Sequence, residues 1–162
     1  MQPADHSTSS LDAHWHELVA GTSIAIGEAA VLLIGPPGAG KSDLALRLID
    51  GGAKLIADDL TELHRQGDGL AASYPAAAPA DLRGCMEVRG LGIMPVPAVA
   101  TAQPLRLIVE LTAPIERMPE PATRHYGGIA VPCLHLAAFE ASAPAKLRLA
   151  VAAAAGHIMT PL

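Results

Sequence analysis

An eight-residue stretch, Gly35-Pro36-Pro37-Gly38-Ala39-Gly40-Lys41-Ser42, restricts this chain more than any other. It fits the pattern G-x-x-x-x-G-K-[ST]. The flanks suit a phosphate-binding P-loop: the apolar run Val31-Leu32-Leu33-Ile34 reads as a strand, and residues 43–50 carry helical periodicity. Glycines let backbone N–H groups converge on phosphate oxygens where a Cβ would intrude. The N-terminus of the helix that follows turns the positive end of its dipole toward the same anion. In such a loop Lys41 reaches the outer phosphates, and Ser42 offers its hydroxyl to Mg2+. All eight residues are therefore candidate nucleotide-binding positions. Taken alone, the loop leaves NTPase, nucleotide kinase, protein kinase and sensor open.

The next signal narrows this. Leu44, Ala45, Leu48 and Ile49 form one apolar stripe, and Gly51-Gly52 ends the helix. Residues 53–57 then form a short strand that delivers Asp58-Asp59. Ligands in open α/β sheets lie at the carboxyl ends of strands, so the acid pair is expected beside the phosphates. Adjacent carboxylates at such a point divide their labour, one deprotonating an attacking hydroxyl and its neighbour serving the metal or fixing the first. Side chains alternate along a strand, so the two are not expected to share a role.

The other segments read more simply. Residues 18–26 and 29–34 are expected to be two strands joined by a tight turn at Gly27-Glu28, and residues 60–65 and 70–74 a hairpin about Gln66-Gly67-Asp68-Gly69. Residues 82–93 are dense in glycine, which suggests backbone packed close to a ligand or another strand. Residues 105–111 read as a buried strand, 112–128 as a loop, 129–136 as a last strand and 143–157 as a helix with Pro144 in its first turn. The expected architecture is α/β, with residues 1–13 a flexible leader and 14–158 a single domain. The length of 162 residues suits one core and hardly two.

Composition excludes several classes. Apolar residues make up 51% of the chain but aromatics only 2%, so the core must be aliphatic and rich in alanine. No apolar run approaches the roughly 20 residues of a membrane span. The polar residues 1–10 do not resemble a secretory signal. A net charge of −5 gives no footprint for nucleic acid. Cys85 and Cys133 lie far apart without metal-ligand spacing and read as reduced, buried thiols of a cytoplasmic protein, and His6, His14 and His16 read as solvated.

Three stretches together resemble the catalytic domain of the HPr kinase/phosphorylase family: Gly35–Ser42, then Leu55-Ile56-Ala57-Asp58-Asp59, then Met86-Glu87-Val88-Arg89-Gly90-Leu91-Gly92-Ile93. The third is much more specific than the P-loop, and the likeness runs over about residues 18–150. The chain looks like a short form without the N-terminal domain of longer members. The resemblance implies a P-loop kinase domain with a mixed, hairpin-containing sheet and a nucleotide site similar to that of phosphoenolpyruvate carboxykinase. It also implies Mg-ATP-dependent phosphorylation of a serine on HPr or an HPr-like phosphocarrier of the sugar phosphotransferase system, with a reverse reaction releasing pyrophosphate, and a homo-oligomer, hexameric in relatives.

By position, the resemblance makes Lys41 and Asp58 catalytic, with Asp58 the base. Ser42, Glu87 and Asp59 become the metal-side residues, and Arg89, Gly90 and Gly92 shape the adjoining loop. It breaks at two places. The family's histidine falls on Ala20, and the C-terminal segment offers Lys146 or Arg148 as the transfer cation, unless both lie on the exposed face of the last helix. These breaks motivate a second reading, a nucleotide-sensing module without turnover. A small-metabolite P-loop kinase is a third, though it leaves residues 87–93 unexplained.

Overall fold

The computed structural model describes residues 14–156. The expected leader and the end of the last helix, with His157, fall outside that span. The order of elements is β1 (His16–Ala20), β2 (Thr22–Ile26), β3 (Ala29–Ile34), α1 (Lys41–Asp50), β4 (Lys54–Ala57), β5 (Leu60–Gln66), β6 (Gly69–Ser73), β7 (Cys85–Val88), β8 (Gly92–Pro95), β9 (Gln103–Leu111), β10 (Ala122–Tyr126), β11 (Ile129–Leu136) and α2 (Ala143–Ala154). Nine strands form one mixed sheet in the order β1-β5-β6-β9-β3-β2-β4, with β11 beside β9 and β10 outside β11; β7 and β8 make a separate hairpin.

The directions of the strands decide where chemistry can occur. Strands β3, β9 and β11 run parallel. Strand β2 is antiparallel to both β3 and β4, so β4 runs parallel to β3. The carboxyl ends of β3, β4, β9 and β11 therefore share one rim. The start of β2, at Thr22, lies on the same rim opposite Leu33.

Helix α1 buries Leu44, Ala45, Leu48 and Ile49, the stripe that its periodicity anticipates. These pack with Ile24, Val31, Leu33, Val109 and Leu147 on one face of the sheet. Leu32, Ile56, Leu63, Leu70, Ile108 and Val131 form the second core on the other face. Among the described residues, every buried hydrophobic side chain is aliphatic, alanine or Met86. No described helix is long and apolar enough to cross a membrane.

Several expectations need correction. Residues 18–26 are not one arm of a hairpin. Strand β1 leaves at Gly21 to pair with β5 at the sheet edge, and only β2 pairs with β3. A Cβ at Gly21 would stand 2.8 Å from the Leu33 carbonyl oxygen, so this kink requires glycine. The stretch 112–128 holds a strand, β10, which pairs with β11 across the Gly127-Gly128 turn. A two-residue Gly-Gly turn between alternating segments is a hairpin signal that the loop reading passed over. Gly90 and Gly92 have open space where a Cβ would be and positive φ of 90° and 93°, so they serve the β7–β8 turn rather than a close approach. Helix α2 ends at Ala154.

We expect Gly21→Ala to destabilise the fold by about 1–3 kcal/mol, the usual cost of overpacking. A urea titration should show a lower midpoint with an unchanged m-value; an unchanged midpoint would contradict this packing.

Candidate functional site

The P-loop leaves β3 at Gly35 and closes on α1. Gly40 caps the helix with φ 97°, and a Cβ there would meet Ala138 at 2.8 Å and the Phe139 ring at 2.9 Å. The loop is thus seated under the segment that follows β11. Arg47 braces the same segment from α1: it pairs with Asp43 at 2.9 Å and donates to the carbonyls of Ala138 and Glu140. Lys41 bends back over the loop mouth, with its ammonium donating to the Gly35 carbonyl at 2.8 Å and to that of Pro36 at 3.1 Å. A cleft of about 470 Å3 adjoins the loop, lined by Ala39, Leu111, Thr112, Ala138, Phe139 and Glu140.

Asp58 and Asp59 reach this rim together but are held differently. Oδ1 of Asp58 accepts hydrogen bonds from the hydroxyls of Ser42 and Thr22, each at 2.9 Å, and from the Asp59 N–H at 3.1 Å. The acid is pinned to the P-loop serine. Thr22 is a site residue that sequence reasoning missed: it lies 36 residues from Asp58 and is brought there by the reversed direction of β2. Nearby, the buried Thr61 hydroxyl donates to the Gly21 carbonyl at 3.0 Å and lies 2.8 Å from the Ser23 hydroxyl, closing the start of β2 against β5.

Asp59 is exposed and stands in the left-handed region at φ 62°, the only non-glycine residue with positive φ among those described. The Leu60 N–H donates to the Asp58 carbonyl at 2.7 Å across it, a tight three-residue turn, and the Gly21 N–H holds its own carbonyl at 2.9 Å. Such a conformation costs on the order of 1–3 kcal/mol and persists only where the surroundings fix it. Partial burial, then the charges of Asp58 and Glu87, raise its carboxyl above the ordinary value of 3.8, against the opposing pull of Lys41. Asp58, Glu87 and Lys41 thus each lie within electrostatic reach of Asp59. Glu87 comes from the β7–β8 hairpin, whose Leu91, Ile93 and Met94 are exposed.

The two C-terminal candidates are held differently. Lys146 is ion-paired at 2.7 Å with Glu140, a residue that lines the cleft beside the loop. Arg148 donates to the Leu48 carbonyl at 3.0 Å, at the C-terminal end of α1, whereas Ser42 lies at the N-terminal end. It faces a second cleft of about 450 Å3, between the β2–β3 turn and α2. Ala20, at the expected histidine position, is exposed.

A seated glycine loop, a lysine over its mouth and a serine tied to a strand-end acid define a P-loop phosphate-binding domain on a mixed α/β sheet. The chain belongs to the HPr Serine kinase C-terminal domain family, whose model matches residues 13–147. It is 35% identical over 131 residues to the HPr kinase/phosphorylase of Xylella fastidiosa (strain M12), an alignment that covers 72% of this chain and 40% of the relative. It is 41% identical over 87 residues to that of Nitrosomonas europaea, covering 50% and 26%. The chain thus spans 40% or less of the length of these relatives. Among solved structures, the HPr(Ser) kinase/phosphatase from Coxiella burnetii aligns with a TM-score of 0.69 and 28% identity, over 83% of this chain and 93% of that one.

Asp59 brings a third negative charge to Asp58 and Glu87. The folded chain holds its proton more tightly than the unfolded chain, so its contribution to stability declines as pH rises above 3.8. Asp59→Asn should therefore raise the melting temperature of the ligand-free protein at neutral pH. A lower melting temperature would contradict the charge crowding.

Proposed function

We propose that this chain is the phosphotransfer domain of an ATP-dependent protein-serine kinase that acts in the cytoplasm on HPr or an HPr-like carrier. The observation that carries the reading is the pair of unlike aspartates, one bonded to the P-loop serine and the other exposed at positive φ with no such bond. In this reading the P-loop amides and Lys41 hold the β- and γ-phosphates, and the apolar cleft at Ala39 and Phe139 receives the nucleoside end. Ser42 and Glu87 supply hard oxygen ligands suited to Mg2+, an ion that keeps several waters and neutralises phosphate charge when bound.

The geometry favours exchanging the roles that the resemblance assigns to the two acids. Asp58, committed through Oδ1 to Ser42 and Thr22, is the positioning residue behind the metal. Asp59, with its carboxylate free of such bonds, is the general base: it takes the serine proton as the serine oxygen attacks the γ-phosphorus and ADP departs. Any reverse reaction must run without an imidazole at Ala20. The exposed Leu91, Ile93 and Met94 beside Glu87 suit a protein acceptor better than a small metabolite, because contiguous exposed apolar side chains mark protein contacts.

The test is transfer from Mg-ATP to the carrier, read as phosphoserine. The wild-type chain should form product, and Asp59→Asn should lose about 10²–10⁴-fold in kcat. Asp58→Asn should act mainly through the KM for Mg-ATP. No phosphoserine from the wild-type chain would overturn the reading, and loss of kcat confined to Asp58→Asn would restore the opposite assignment.

A further inference from the structure

A second group of donor atoms lies on the same sheet, away from the aspartates. Glu110 on β9 and His135 on β11 are cross-strand partners, and Cys133, two residues before His135, points to the same face of β11. One side-chain donor atom from each of the three lies within 4.8 Å of the others, and all three residues are half-buried. Their neighbours on β11, Leu134 and Leu136, pack instead against the core that holds α1.

We infer that Glu110, Cys133 and His135 form a binding site for a thiophilic divalent cation of the zinc class. A thiolate, an imidazole and one carboxylate are a three-ligand set of the kind that holds Zn2+ with water in the fourth position. Soft sulfur and imidazole donors select against Mg2+, so this site and the oxygen-lined one at Ser42 and Glu87 do not compete for the same ion. Bonds of about 2.0–2.3 Å in tetrahedral geometry require donors roughly 3.5 Å apart, which small side-chain rotations from the observed spacing supply.

Two details support the assignment. Cys133 is half-buried and packs against the second core, so a metal held at its sulfur is shielded from bulk water on that side. An entering dication displaces the thiol proton to solvent and leaves the thiolate and the carboxylate as co-ligands. Glu110 is meanwhile paired with Arg124 at 3.2 Å, a fixed cation occupying the carboxylate that the metal would take. Binding is thus an exchange of Arg124 for a metal ion. The site is independent of the kinase reading.

The test uses Co2+ as a spectroscopic substitute for zinc, titrated into the reduced full chain with excess Mg2+ present to occupy the oxygen-lined site. One equivalent should bind, produce a thiolate-to-cobalt charge-transfer band and be displaced by Zn2+. Cys133→Ser should abolish the band and Cys85→Ser should leave it. His135→Gln should weaken binding at least tenfold, and Arg124→Gln should tighten it by removing the competing cation. Absence of a band at one equivalent, a band that survives Cys133→Ser, or a band that follows Cys85 would overturn the proposal. Circular dichroism verifies that each variant is folded. Should Cys133→Ser fail to fold, unchanged affinity in His135→Gln would overturn it alone.

Discussion

One carboxylate oxygen joins the parts of this site. Oδ1 of Asp58 receives hydrogen bonds from Ser42 at the start of α1, from Thr22 at the start of β2 and from the backbone of the next residue. Helix α1, strand β2 and the turn after β4 are thereby fixed at one point. The bonds require β3 and β4 to end on the same rim with β2 between them, and the reversed direction of β2 places Thr22 within reach. Several donors converging on one carboxylate oxygen form a connected network, and a partly shielded rim strengthens its bonds.

This knot also explains how Asp59 is held in an unfavourable conformation. With its predecessor anchored and its own carbonyl taken by the Gly21 N–H, the residue has little freedom to relax from positive φ. Its carboxylate is left projecting near Asp58, Glu87 and Lys41. The arrangement concentrates negative charge where a metal–nucleotide complex would neutralise it. In the ligand-free chain that charge opposes folding, a common trade between stability and activity.

Much of the site was legible because phosphate binding imposes spacing on the sequence. The P-loop, the helix stripe from Leu44 to Ile49 and the strand that delivers Asp58 all lie within 30 residues and obey local rules. What was not legible depends on long-range pairing. Thr22 carries no motif, and its role appears only once β2 is known to run against β3 and β4. The unlike settings of Asp58 and Asp59 arise from hydrogen bonds and one backbone angle, neither of which is encoded in an Asp-Asp dipeptide. Strand β10 was hidden by the prolines around it, although Gly127-Gly128 signalled its turn. The donor group at Glu110, Cys133 and His135 was invisible for the same reason, since 23 residues separate Glu110 from Cys133 and only the parallel pairing of β9 with β11 unites them.

The roles proposed for the two aspartates turn on which carboxylate faces the phosphoryl group. A crystal structure of the chain with Mg2+ and a non-hydrolysable ATP analogue decides it most directly. The expected structure keeps Asp58 bonded to Ser42 and Thr22, with the Asp59 carboxylate facing the γ-phosphorus from the side opposite the leaving oxygen and far enough away to leave room for a serine hydroxyl between them. Asp58 swung free beside the γ-phosphate, with Asp59 turned into solvent, would contradict it.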